Sequence, residues 1–251
     1  MTNLATYLWT SGDDVVISLS SAYLAAGQSA STGNGNDSIV GISVIPGLTT
    51  FFGSNEDQFI SGAYVGPSGV YLGTGSVLNT GNGLDLIAGT GANGLDDPTS
   101  TVWVSAGNGG DGIRNRGTIL TGNGSDAAIG INPEFGPLIR GQGGNGANGT
   151  SSSLRNGSDG GDGGAGIRNL GTGTIKTANG GDLLLGIGGN GGDGGNGYVG
   201  DSSGSNRNGG NGGDGGDGIH NDTGGKIETG NGDDAIIGIG GSAGAGGAAG
   251  N

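Results

Sequence analysis

The chain has 251 residues, of which 69 are glycine, 5 proline and none cysteine; with 31% hydrophobic and 4% aromatic residues it cannot build a wide globular core. The absence of cysteine excludes disulfide and thiolate chemistry. A formal net charge of −14 argues against nucleic acid or an anionic membrane surface as partner, and favours solubility and cation binding.

In chain order, the opening MTNLATYLWTSGDDVVISLS lacks the basic start and long apolar run of an N-terminal export signal. No apolar run approaches the ~20 residues of a membrane span. One phrase then recurs: TGNGNDSIVGI (Thr32–Ile42), TGNGLDLIAGT (Thr80–Thr90), TGNGSDAAIGI (Thr121–Ile131), TANGGDLLLGIGG (Thr177–Gly189) and TGNGDDAIIGIGG (Thr229–Gly241). Weaker copies place Asp14 and Asp57 in the role of Asp37, Asp85, Asp126, Asp182 and Asp234. Each phrase reads as a turn followed by a short strand, because glycine supplies positive φ and asparagine tolerates it.

The copies predict an all-β solenoid, a parallel β-helix of about seven coils, roughly 34 Å long at ~4.8 Å per coil. Removing insertions leaves three matching cores, Gly112–Gly130, Gly166–Gly186 and Gly218–Gly238. In these, Ile113, Ile167 and Ile219 share one phase and Ile119, Ile175 and Ile227 another, the spacing of strands with one buried face. The strand after each aspartate is apolar on both faces and needs cover on its outer side, from the insertions or a second molecule. Residues 1–88 read as compact coils, and 89–251 as coils of the same continuous domain carrying long glycine-rich insertions.

The insertions have a period of three, as in GGNGGDGGNG (Gly188–Gly197) and GGNGGDGGDG (Gly209–Gly218). That period fits a polyglycine II helix, at about 30 Å per ten residues. The segments pair as out-and-back arms around polar tips, Thr150–Asn156 and Tyr198–Asn208, while the last one, from Gly240, has no return. The alternative is flexible linkers.

The phrase G-N-G-x-D resembles a relaxed form of the RTX nonapeptide, whose repeats form calcium-binding β-rolls. The longer unit resembles repeats of large bacterial, cyanobacterial-type surface proteins, and the arms resemble the polyglycine II layers of phage tail-fibre adhesins and snow-flea antifreeze proteins. The RTX resemblance implies calcium ligands at Asp37, Asp85, Asp126, Asp182 and Asp234. The residues themselves leave a second role open, in which the stacked carboxylates accept turn N–H groups.

Other columns follow from the same alignment. Thr32, Thr80, Thr121, Thr177 and Thr229 form one, readable as an ice-ordering hydroxyl row or as strand-favouring filler. Asn34, Asn82, Asn123, Asn179 and Asn231 form a second, and Arg114, Arg168 and His220 a basic stripe. Trp9, Phe51, Phe52, Phe59, Tyr64 and Tyr71 cluster early, as a wider core or a contact surface. No Ser or Cys nucleophile has a base partner, and GGKI at Gly224–Ile227 lacks the pattern of a phosphate loop, so no enzyme is expected and no cofactor beyond calcium.

The expected function is structural, an extracellular or cell-surface subunit exported by a route other than an N-terminal signal peptide. No capping segment is visible at either end of the stack, so the expected partner is another copy, joined head to tail. The unreturned arm, with Gly240, Gly241, Gly244, Gly247 and Asn251, is the expected assembly element. The alternatives are a receptor-binding adhesin of the phage tail-fibre type, acting through its arm tips, and an ice-binding protein.

Overall fold

The computed structural model describes residues 1–43, 59–60, 63–64, 66–95, 106–123, 138–149, 151, 156–197 and 208–250. It is a stack of short parallel strands in three sheets, each ordered as the strands occur in the chain. The first face stacks Thr2–Asn3, Ala22–Leu24, Val70–Leu72, Ile113–Asn115, Ile167–Asn169 and Ile219–Asn221. The second stacks Ser29–Ser31, Val77–Asn79, Thr118–Leu120, Thr174–Lys176 and Lys226–Glu228. The third stacks Val15–Ser18, Ser38–Ile42, Leu86–Thr90, Leu138–Gln142, Leu183–Ile187 and Ala235–Ile239.

Alternation along each strand decides which side chains enter the narrow core. Val70 and Leu72 enter from the first face, Leu78 from the second and Ile87 from the third, all fully buried, and the coils above and below repeat the pattern. Each coil thus stacks its few apolar side chains on those of its neighbours and on nothing else.

The stack has six coils, not seven. Ser38–Ile42 pairs directly with Leu86–Thr90 in register, so the stretch containing Asp57 is an excursion between two coils. Its described part is an antiparallel pair in which Phe59 faces Tyr64; Asp57, Phe51 and Phe52 lie outside the described residues. The Asp57 copy has no flanking strands to contribute to the first and second faces, and one turn phrase alone does not make a coil.

The fourth coil also departs from expectation. Its third-face strand is Leu138–Gln142, paired on one side with Leu86–Thr90 and on the other with Leu183–Ile187. Asp126 and the strand expected after it lie outside the described residues. The core position two residues after the aspartate holds Ile39, Ile87, Leu184 and Ile236 in other coils, but Ala128 in this copy. Ile139 fills that position instead and is fully buried, avoiding the cavity that alanine would leave.

A cap closes the N-terminal end, contrary to the reading of two bare ends. A single 3-10 turn, Leu4–Thr6, is capped by Asn3, whose side chain accepts the Ala5 N–H at 3.0 Å. It buries Leu4 completely, and Trp9 packs beside it, donating Nε1–H to the Leu4 carbonyl at 3.1 Å. Val16, in the first third-face strand, is consequently 3% exposed, whereas its register equivalent in the last coil, Ile236, is 54% exposed. Tyr71 is on the outer side of the first face, in register with Arg114, and is not a core residue.

The glycine-rich segments are ordered limbs in two layers beside the coils, as the period of three predicts. Outgoing limbs occupy residues 90–95, 142–149, 187–197 and 239–250; return limbs occupy 66–69, 106–112, 156–166 and 208–218. Each triplet sends its three N–H groups in three directions. Gly191 donates to the Ser242 carbonyl in the next limb of its own layer, and Gly192 to the Gly161 carbonyl in the other layer, both at 2.8 Å. The third, Asn190, donates to the Asn145 side-chain Oδ1 at 2.9 Å. The two glycines are there for close approach: a Cβ on Gly192 would stand 1.9 Å from the Ala147 carbonyl oxygen. Only the third position has room for a side chain, and an outward Asn or Asp there supplies the acceptor for the next limb.

Candidate functional site

The repeated phrase builds a column of closed turns. Gly81 and Gly83 have φ of 72° and 152°, which places the chain in the left-handed and adjoining regions that favour glycine. Thr80, at the turn's start, donates its hydroxyl to Asp85 Oδ2 at its end, at 2.7 Å, and Thr32 does the same to Asp37. The other carboxylate oxygen accepts from the preceding coil: the Asp14 N–H reaches Asp37 Oδ1 at 2.9 Å, and the Asp37 N–H reaches Asp85 Oδ1 at 3.2 Å. Asp182 N–H likewise reaches Asp234 Oδ1 at 3.1 Å. Asp37 and Asp85 therefore have both oxygens engaged as caps, the second of the two roles open in the sequence.

Burial sets the electrostatics of this column. Desolvation pushes the Asp85 carboxyl up to about 6, with the Asp37 charge adding to the rise and the Thr80 hydroxyl and Asp37 N–H opposing it. Asp182 is also raised, chiefly by burial, with the Thr177 hydroxyl opposing the rise and the Asp234 charge adding to it. Thr32, Thr80, Thr121 and Thr177 are buried within the column, so these hydroxyls form no outer face.

The asparagine column is on the outside and is continuous. Asn82 Nδ2 donates to Asn34 Oδ1 at 3.1 Å, Asn179 to Asn123 at 3.0 Å and Asn231 to Asn179 at 2.8 Å. Asn123 is thus in register although the strand that follows its turn comes from Leu138 onward.

The basic stripe also forms, with Arg114 against Arg168 and Arg168 against His220. It is neutralised by acids at its base. Buried Asp111 accepts from Arg114 Nη1 at 2.9 Å and from Arg168 Nε at 3.0 Å, and Asp217 is 2.7 Å from His220 Nδ1. A buried ladder that was missed lies inside the same strands. Asn115 Nδ2 donates to Asn169 Oδ1 at 2.8 Å, and Asn169 Nδ2 to Asn221 Oδ1 at 2.7 Å. The repeated GIRN, GIRN and GIHN carried that signal, but an asparagine ending an alternating strand reads as a turn residue.

The proposed assembly residues divide. Gly241, Gly244 and Gly247 donate their N–H groups to the Gly216, Gly213 and Gly210 carbonyls, all at 2.8 Å, and so fasten the last limb to the body. Gly240 is exposed, and Asn251 lies outside the described residues. At the limb's outward phase stand Gly240, Ala243, Gly246 and Ala249, where earlier limbs keep glycine. A Cβ at Gly246 would have its nearest neighbour 3.8 Å away, against 2.1 Å at Gly191.

Among the described residues, no three His, Asp or Glu side chains converge on a point, and no helix is long and apolar enough to cross a membrane. The tip segments Thr150–Asn156 and Tyr198–Asn208 lie largely outside the described residues. No protein-family model matches the chain, no curated protein is significantly similar to it, and no solved structure matches its fold.

Proposed function

We propose that this chain is a non-enzymatic structural protein, a unit of an extracellular filament or surface matrix whose copies join end to end. The observation that carries this reading is the last described strand of each face: among the described residues Ile219–Asn221, Lys226–Glu228 and Ala235–Ile239 each have a neighbour on one side only. Unpaired parallel edges of this kind invite another strand.

The two ends also match. Val15, Ile17 and Leu19 are exposed at the N-terminal end of the third face, and Ile237 and Ile239 at the other end. Ile17 and Ile237 belong to one register column, so a second copy continuing the third face would set apolar side chain on apolar side chain. The N-terminal cap restricts the join to that face. A head-to-tail contact that does not close gives a fibre.

Electron microscopy and sedimentation of the purified chain test this reading. Filaments or concentration-dependent oligomers are expected, strengthened by salt that screens the charge of −14. A monomer at all concentrations and salt levels would refute it.

A further inference from the structure

Asparagine followed by glycine recurs in the turns and in the limbs. A glycine there puts no Cβ in the way of a reaction between its own nitrogen and the asparagine side chain. In the inner coils both reacting groups are held by the coil that follows. Asn190 Oδ1 accepts the Ser242 N–H at 2.9 Å, and the Gly191 N–H donates to the Ser242 carbonyl at 2.8 Å. Asn145 and Gly146 are held in the same way by Asn190, at 2.9 and 2.8 Å. In the turn column Asn179 Oδ1 accepts Asn231 Nδ2–H at 2.8 Å, and the Gly180 N–H donates to the Asn231 carbonyl at 2.9 Å.

Three pairs lack both clamps: Asn208–Gly209 and Asn211–Gly212 in the last described return limb, and Asn231–Gly232 in the last turn. Among the described residues no N–H reaches the Oδ1 of Asn208, Asn211 or Asn231, and the Gly209, Gly212 and Gly232 N–H groups meet no acceptor. Exposure does not separate these pairs from the others, since Asn145 and Asn190 are exposed as well. Only the bonding to a following coil does.

We propose that these three pairs are sites of spontaneous deamidation, with water as the one co-reactant. The glycine nitrogen gives up its proton and bonds to the asparagine Cγ. The Cγ–Nδ2 bond breaks and ammonia departs with that proton, leaving a five-membered succinimide. Water then opens the ring at either carbonyl, giving aspartate or its β-linked isomer. Each conversion adds one negative charge to a chain that already carries −14. An inner pair must first break two bonds to the next coil, so its reaction waits on local opening. The inference holds whether or not copies of the chain join end to end.

Mass spectrometry of tryptic peptides from aged full-length chain tests it, because cleavage after Lys176, Arg207 and Lys226 separates the two groups. The chain is aged folded, at mildly alkaline pH and at a dilution where it sediments as a monomer, and in parallel in concentrated urea. Each peptide's rate in the folded chain is divided by its own rate in urea. Peptide 177–207 holds the clamped Asn179, Asn190 and Asn196, whereas peptides 208–226 and 227–251 hold the three open pairs. Peptides 208–226 and 227–251 are expected to gain about 1 Da per converted site. Their normalised rates should exceed that of 177–207 by about tenfold or more. Equal normalised rates for the three peptides, or conversion confined to the chain in urea, would overturn the proposal.

Discussion

Single side chains in this molecule hold coils together by reaching one coil up or down, and their titration follows from that burial. Asp85 has a folded-state pKa near 6 against 3.8 for the free carboxyl. The folded chain therefore holds the proton more tightly than the unfolded one between those values. The contribution of Asp85 to stability is fully present below about pH 4 and is lost as pH rises through about 6. Asp85→Asn should make this slope shallower, with the part due to Asp182 remaining, which denaturant melts at pH 4, 5, 6 and 7 would reveal. The column of threonines and aspartates was legible in the sequence because each coil repeats it at a fixed distance from the turn. The buried asparagine ladder was not, because Asn115 and Asn169 occupy the register position of Leu24 and Leu72. Asn169→Leu restores the earlier residue but leaves the Gly173 and Lys226 carbonyls and the Asn221 amide oxygen without the donor they have now. A loss of roughly 2–4 kcal/mol is expected in chemical denaturation.

Among the elements, the limbs are ruled by distance and the strands by what fills the core. Gly192 faces a carbonyl oxygen 1.9 Å from where a Cβ would sit, while Gly246, on the last limb, has nothing closer than 3.8 Å. Gly192→Ala should lower the melting temperature sharply, by about 3 kcal/mol or more of stability, and Gly246→Ala should change it by less than about 0.5 kcal/mol. Equal effects would mean that limb packing does not constrain these glycines. The period of three was plain in the sequence, since only every third residue tolerates a side chain. The fourth coil departs from the sequence reading because the turn phrase and the strand it announces are separated there by an insertion. Asn123 keeps its place in the outer column while Ile139, not Ala128, reaches the core. A phrase marks the turn reliably; only side-chain volume marks the strand.

For the whole molecule, the two ends differ, and the difference was hidden. The cap is made by Leu4 and Trp9, two apolar residues in a stretch with no amphipathic period, so nothing in their spacing announces it. At the opposite end Ile236 and Ile239 remain open to solvent. Ile239→Lys, at an exposed edge position, should abolish end-to-end association in sedimentation while leaving the melting temperature of the monomer within a few degrees. The same substitution at Ile139, which is buried in mid-stack, should unfold the chain.

The threefold routing of limb hydrogen bonds has a consequence for how such a chain can change length. A limb recognises its neighbours in units of three, two glycines and one acceptor, and every unit is interchangeable with the next. Excising Gly191–Asp193 from one limb and Gly212–Asp214 from the other leaves each remaining glycine facing a carbonyl, as Gly188 faces Gly216 and Gly194 faces Gly210 now. Excising a single residue puts an asparagine or aspartate Cβ into a slot with no space, and repeats the error to the limb's tip. Reach from the coil stack is therefore quantised, in steps of about 9 Å, and a lineage of such proteins could vary it freely by whole triplets while never drifting by one.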